Sequence, residues 1–106
     1  MSEQFIVIGW SHKNAPVEFR DKLFLSTDEI QRLVKETVQS EFIQELTILS
    51  TCNRTEFYFV SSNTGSLVNW VKGKYNINLK HNIDFTDGEP YTHQGGETIR
   101  HLLRVA

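Results

Sequence analysis

The chain has 106 residues, a formal net charge of −2 and a single cysteine. This length is typical of one domain with its own core, and one cysteine excludes an internal disulfide and indicates a reducing compartment, so we expect the cytoplasm. No apolar run of about 18 residues and no charged-then-apolar leader is present, so the sequence predicts neither a membrane span nor a signal peptide. The slight negative charge gives no general electrostatic footprint for nucleic acid.

The beginning of the chain predicts a buried strand followed by a short helix. Residues 4–10, QFIVIGW, form a continuous apolar run rich in Ile and Val, which is typical of a buried strand. Residues 11–14 are polar and predict a loop. Pro16 suits the first turn of a helix because its missing N–H would be unpaired there, so we expect a helix over residues 16–23.

A second helix has a clear start signal. Ser26 as N-cap, with Glu29 three residues later, is the pattern of a capping box. We expect this helix to run to about residue 39. Its apolar stripe, at helical spacing, consists of Ile30, Leu33, Val34 and Val38.

The middle of the chain predicts two strands, residues 45–49 and 56–60, around the connection that contains the only cysteine. Cys52 lies there between Thr51, Asn53 and Arg54. A thiol at a strand end beside a guanidinium can act as a nucleophile whose thiolate is stabilised by positive charge. Two alternatives stay open: a lone cysteine often serves as a small buried hydrophobe, and Asn53 tolerates the left-handed geometry that a strand connection can need.

The last part of the chain predicts a helix, an irregular segment and an edge strand. Residues 63–66 are a turn signal, and the spacing after them predicts a helix over residues 67–75 with Trp70 in the core. Residues 76–88 give few pattern cues, so we expect a loop with one short extended piece. Residues 91–93 predict the edge strand.

A final helix is expected from Glu97 onwards, after the turn at Gly95 and Gly96. His101 lies at the border of its apolar stripe. The stripe still runs at the last residue, which predicts a truncated helix. Its members are Ile99, Leu102, Leu103 and Ala106.

The order of predicted elements, β-α-α-β-β-α-β-α, indicates an α+β fold. It is the pattern of a ferredoxin-like split β-α-β sandwich with an antiparallel sheet, helices on one face and one extra helix. No repeat or internal linker is visible, so residues 1–106 are expected to form a single domain.

Three separated stretches resemble the amino-terminal catalytic domain of glutamyl-tRNA reductase: GWSHKNAPVEFRDKL, LSTCNRTEFY and GGETIRHLLRVA. The resemblance covers the chain nearly end to end. It implies that residues 1–106 are a catalytic-domain fragment, truncated at its C-terminal end, without the NADPH-binding and dimerisation domains. In agreement, no G-x-G-x-x-G follows a predicted strand.

The resemblance also implies roles for particular residues. Cys52 corresponds to the nucleophile that attacks glutamyl-tRNA and forms a thioester, and His101 to a histidine that supports activity. Arg54 corresponds to the residue that grips the glutamate side-chain carboxylate, with Thr51 and Asn53 in the same substrate-recognition run. His12 is a further candidate for the pocket wall. No metal site is expected.

As cofactor and partners, the resemblance implies NADPH, which reduces the thioester to glutamate-1-semialdehyde for tetrapyrrole biosynthesis, and glutamyl-tRNA. It further implies a homodimer of the full-length protein and contact with the aminomutase that takes the product. The alternative is a non-enzymatic ferredoxin-like module that binds RNA or protein through an exposed sheet face bearing Phe57, Tyr58 and Phe59.

Overall fold

The computed structural model describes residues 3–105 and shows a four-stranded antiparallel sheet with helices on both faces. The strands are β1 (Gln4–Ser11), β2 (Ile43–Ser50), β3 (Arg54–Ser61) and β4 (Tyr91–Gln94). The helices are α1 (Val17–Leu23), α2 (Thr27–Glu36), α3 (Leu67–Gly73) and α4 (Gly96–Val105). The strand order is β2-β3-β1-β4 and every neighbouring pair is antiparallel, which is the ferredoxin-like arrangement. The predicted α+β class with an antiparallel sheet is confirmed, but the prediction of helices on one face is wrong for α4, which packs on the opposite face.

The main hydrophobic core lies between one face of the sheet and α1, α2 and α3. Alternate residues of a strand point to opposite faces, so Phe57 and Phe59 share the core face while Tyr58 points away from it. Both phenylalanines are fully buried, and Tyr58 is only 7% exposed on the other face. The exposed aromatic surface required by the alternative of an RNA-binding sheet therefore does not form.

Helix α2 confirms the predicted capping box but ends earlier than expected. The Ser26 hydroxyl accepts a hydrogen bond from the Glu29 N–H at 3.2 Å, and the Ser26 N–H donates to the Glu29 carboxylate at 2.9 Å. The α-helix ends at Glu36, and residues 37–39 form a 3₁₀ turn. The tighter turn rotates Val38 out of the stripe, so its predicted place in the core is wrong: it is 89% exposed.

The segment after α3 is more ordered than the sequence indicates. A π-helical turn follows α3 over Lys74–Asn78, and a 3₁₀ turn covers Phe85–Asp87. The extended piece predicted within residues 76–88 does not form a strand, although the backbone is extended at Asp84 and Gly88. Asn76 holds this segment closed by two hydrogen bonds with the Ile83 backbone, at 2.7 and 2.9 Å. Trp70 packs edge-on against Phe59 in the core, as predicted.

Helix α4 packs against the opposite sheet face. The expectation that its apolar stripe is the packed face is wrong for two of the stripe residues. Thr98 is buried and His101 is partly buried against the sheet, whereas Ile99 is 52% and Leu103 73% exposed. Polar contacts orient the helix, since the Thr98 hydroxyl donates to the His93 carbonyl at 2.6 Å. Ala106 lies outside the described residues. None of the helices in residues 3–105 combines the length and hydrophobicity that a membrane crossing requires.

A glycine in β1 leaves the space in which the strands on either side of it make contact. Gly9 lies opposite Glu56 of β3 and Tyr91 of β4 in the sheet register. A Cβ at this position would lie 2.8 Å from the Glu56 Cγ and 2.9 Å from the Thr55 carbonyl oxygen. Only a residue without a side chain therefore lets the side chains of Glu56 and Tyr91 meet across β1.

We expect Gly9→Ala to lower the free energy of unfolding by about 1–3 kcal/mol, because the added methyl must displace backbone as well as side chain. Urea unfolding measures this. Gly73→Ala is the matched control, since its Cβ meets no atom within 4 Å. Equal stabilities of the Gly9→Ala variant and the parent chain would contradict the conclusion that position 9 has no room for a side chain.

Candidate active site

A buried carboxylate, Glu56, lies at the centre of the candidate site on the sheet face that α4 covers. The Tyr58 hydroxyl donates to its Oε1 at 2.8 Å, and the Tyr91 hydroxyl donates to its Oε2 at 2.5 Å. His101 Nε2 also bonds to Oε2, and Arg54 Nη1 lies 3.7 Å from the same oxygen. Side chains from β3, β4 and α4 thus converge on one carboxylate.

Glu56 is ionised at neutral pH. Burial raises its pKa, but the hydrogen bonds from Tyr91, His101 and Tyr58 outweigh burial and hold the pKa below its ordinary value of 4.5. Burial and the hydrogen bond to Glu56 raise the pKa of both tyrosines well above the ordinary value of 10. Both hydroxyls therefore remain protonated donors across the physiological range.

The ionised carboxylate determines which nitrogen of His101 can accept a proton. A carboxylate only accepts hydrogen bonds, so His101 Nε2 must carry a hydrogen where it meets Glu56. In the neutral ring, Nδ1 is then the acceptor. The ring also lies tilted against the rings of His93 and Tyr91, with centroid separations of 4.9 and 5.4 Å. Glu56 thus fixes the tautomer, as a carboxylate does for histidine in hydrolase triads.

Beside this cluster lies a cleft of about 350 Å³. Two residues predicted from the sequence, Arg54 and His101, meet there. The lining residues come from the end of β1 and the loop after it, the start of β3, β4 and the last turns of α4: Ser11, Lys13, Arg54, Tyr91, His93, His101, Arg104 and Val105. Three cations and two histidines make this a cleft suited to an anionic ligand.

Cys52 is exposed in the three-residue connection between β2 and β3, so the alternative of a buried structural thiol is wrong. Thr51 forms this turn: its hydroxyl accepts from the N–H groups of Asn53 and Arg54 at 3.2 and 3.3 Å. Left-handed geometry at Asn53 is not used, because positive φ among non-glycine residues 3–105 is confined to Lys80 and Asn82.

Cys52 and His12 do not line the cleft; both are exposed beside it. The His12 N–H donates to the Asn53 carbonyl at 3.0 Å, so the loop after β1 lies against the Cys52 connection. The predicted residues therefore form two adjacent groups. Arg54 and His101 share the cleft, and Cys52, two residues before Arg54, shares the turn with Thr51, Asn53 and the backbone of His12.

Three residues that contribute to this arrangement were not predicted. The sequence does contain a signal for Glu56: Arg54, Glu56 and Tyr58 alternate and so share one face of the strand, and a carboxylate buried on that face needs hydrogen-bonding or charged partners. The sequence contains no signal for Tyr91, because its contact with Glu56 depends on the register of β3 and β4 on either side of Gly9. Arg20 of α1 donates to the Cys52 carbonyl at 3.4 Å and to the Ala15 carbonyl at 2.8 Å, which ties the cysteine turn to that helix.

Residues 8–106 match the family model described as glutamyl-tRNAGlu reductase, N-terminal domain. The chain belongs to this family. Glutamyl-tRNA reductase of Thermodesulfovibrio yellowstonii is 41% identical over 108 residues, which cover 95% of this chain and 25% of that protein. Glutamyl-tRNA reductase of Acinetobacter baumannii is 32% identical over 102 residues, 96% of this chain and 23% of that protein.

A solved structure supports the same membership. Glutamyl-tRNA reductase from Methanopyrus kandleri matches 95% of this chain and 21% of its own length, with a TM-score of 0.64 and 27% sequence identity. The chain thus spans about a quarter of the length of the glutamyl-tRNA reductases that it matches in sequence.

Proposed function

We propose that this domain transfers glutamate from glutamyl-tRNA to the Cys52 thiol, forming a thioester. One observation carries the proposal: the exposed Cys52 lies two residues before Arg54, which shares an anion-compatible cleft with His101. The matched relatives are named glutamyl-tRNA reductase, which supports glutamyl-tRNA as the substrate.

In the proposed reaction the Cys52 thiolate attacks the ester carbonyl carbon. A carbon–sulfur bond forms, the bond between that carbon and the ribose oxygen breaks, and the ribose oxygen takes up a proton. His101 is the proposed proton carrier: because Nε2 is committed to Glu56, Nδ1 takes up the proton that the Cys52 thiol releases and passes it to the ribose oxygen. Arg54 is proposed to pair both oxygens of the glutamate side-chain carboxylate; a guanidinium has five N–H donors, so its contact with Glu56 leaves enough of them available.

The second half of the proposed activity is reduction of the thioester by NADPH to glutamate-1-semialdehyde. The described residues do not fit this cofactor, because all strand pairs in residues 3–105 are antiparallel and a dinucleotide fold needs parallel β-α-β units. We therefore derive no hydride step from this domain. The separate NADPH-binding and dimerisation domains, the homodimer, the aminomutase partner and the cytoplasmic location stay predictions.

Trapping the intermediate tests the proposal. The chain is incubated with glutamyl-tRNA carrying radiolabelled glutamate, quenched in acid and digested, and the labelled peptide is identified by mass spectrometry. We expect one label, on Cys52, that is stable to acid and released by hydroxylamine. Chain alkylated beforehand at Cys52 is the control. Label on another residue, or none at all with charged tRNA in excess, would contradict the proposal.

Arg54→Lys tests the proposed carboxylate contact. A lysine keeps the charge but cannot make the two-point contact of a guanidinium. We expect the glutamyl-tRNA concentration that gives half-maximal acylation of Cys52 to rise roughly tenfold, the loss of about one charge-assisted hydrogen bond. Arg32→Lys, on the exposed face of α2, is the matched control. An unchanged concentration dependence in Arg54→Lys would remove Arg54 from this role.

A further inference from the structure

We propose that Lys13 and Arg104 form a phosphate-binding subsite in the cleft, next to Arg54. Its ligand is the phosphodiester next to the aminoacylated ribose at the 3′ end of the RNA. This inference rests on the proposed function and specifies how the substrate is held. It also assigns a role to the loop after β1, in which Lys13 rather than His12 lines the cleft.

The charges around the cleft support an anionic ligand. Its lining contains the cations Lys13, Arg54 and Arg104. Two carboxylates contact lining residues from outside: Glu56 offsets the charge of Arg54, and Glu97 lies 3.7 Å from His93. Within the described part of the chain, Arg54 has a carboxylate partner in Glu56, whereas neither Lys13 nor Arg104 takes part in an ion pair. The chain as a whole carries a formal net charge of −2, so this local excess of positive charge is not a general property of its surface.

The backbone positions that carry the two cations are fixed by elements from different parts of the chain. The Lys13 N–H donates to the Ser11 hydroxyl at 3.2 Å, and the Ser11 N–H donates to the Asn14 side chain at 2.6 Å. The Asn14 amide donates in turn to the Glu89 carbonyl at 3.1 Å, which fixes the loop. Arg104 lies in the last turn of α4, one turn beyond His101, whose bond to Glu56 anchors that helix.

The chemistry of the substrate provides two anions on opposite sides of the reacting ester. The glutamate side-chain carboxylate is planar and suits the bidentate guanidinium of Arg54. The phosphodiester lies on the ribose side, and an ammonium together with a second guanidinium is a common way to bind it. Contacts on both sides would hold the ester between them, which lowers the entropy cost of reaching Cys52.

Two unreactive probes test the inference in the intact 106-residue chain. Both carry glutamate joined by an amide to 3′-amino-3′-deoxyadenosine, and only one has a 5′-phosphate. At low salt we expect the phosphorylated probe to bind roughly tenfold more tightly by calorimetry, as for one charge-assisted hydrogen bond. In the double variant Lys13→Gln, Arg104→Gln this difference should disappear, and in the parent chain it should shrink as salt is raised.

The double variant Arg32→Gln, Lys35→Gln is the matched control, because it removes the same charge from the exposed face of α2, on the other side of the sheet. It should keep the tenfold preference. Equal binding of the two probes by the parent chain, no binding of either probe, or a preference that survives in the Lys13→Gln, Arg104→Gln variant would overturn the inference. The amide probes cannot acylate Cys52, so failure of the proposed thioester chemistry would be detected separately by the trapping experiment.

Discussion

Replacing Cys52 by serine is expected to lower the rate of adduct formation from glutamyl-tRNA by at least about a thousandfold. A thiol is intrinsically much more nucleophilic than a serine hydroxyl, which needs an adjacent base to react. Among the described residues, no side chain forms a hydrogen bond with the Cys52 side chain, so serine would lack such activation. The measurement is the amount of glutamate that stays bound to the protein after an acid quench and is released by hydroxylamine, followed over time.

The fold should be unaffected by this substitution, which makes the comparison clean. Cys52 is exposed, and substitutions at exposed positions without special contacts change stability by about 0.5 kcal/mol or less. Urea unfolding of the parent and of Cys52→Ser should therefore coincide. The parent should also react with iodoacetamide while folded. If Cys52→Ser accumulates as much hydroxylamine-labile adduct as the parent, Cys52 is not the nucleophile.

The elements that could be predicted are those whose signals are local. The capping box of Ser26 and Glu29 and the apolar run of β1 are set by neighbours within a few residues, and the structure confirms both. Helix α4 shows the limit of such reasoning. Its hydrophobic periodicity favours Ile99 and Leu103 as the buried face, but the sheet offers the polar hydrogen-bonding groups of His93 and Glu56 instead. The helix face that contacts those groups carries Thr98 and His101, while Ile99 and Leu103 stay exposed.

The candidate site likewise contains residues that local sequence identifies and contacts that it does not. Cys52 and Arg54 stand out in the sequence because they lie two residues apart where the β2–β3 connection meets β3, and a family resemblance assigns them roles. The contact between Glu56 and Tyr91 depends on which residues face each other across β1, and on the absence of a side chain at Gly9. Register of this kind is a property of the whole sheet, so local patterns do not contain it.

Removing the central carboxylate should have the largest effect on stability. We expect Glu56→Ala to lower the free energy of unfolding by roughly 3–5 kcal/mol, because it leaves the buried Tyr58 hydroxyl and the partly buried Tyr91 hydroxyl without an acceptor, and removes the acceptor of His101 Nε2 and the counter-charge of Arg54. Urea unfolding at neutral pH measures it. Glu45→Ala, an exposed glutamate on β2, is the matched control and should stay within about 0.5 kcal/mol of the parent.

The pH dependence of stability distinguishes loss of an ionised carboxylate from a simple packing defect. The folded-state pKa of Glu56 is lowered, so its contribution is fully present above the ordinary pKa of 4.5 and is lost as pH falls through the lower folded value. The parent should therefore lose more stability than Glu56→Ala on acidification below 4.5, and the gap between them should narrow. Parallel curves would mean that Glu56 is not held ionised. An independent check is nitrogen-15 NMR of the parent at neutral pH. We expect His101 to carry its hydrogen on Nε2, because the ionised Glu56 can only accept a hydrogen bond there. Absence of this form would contradict the arrangement.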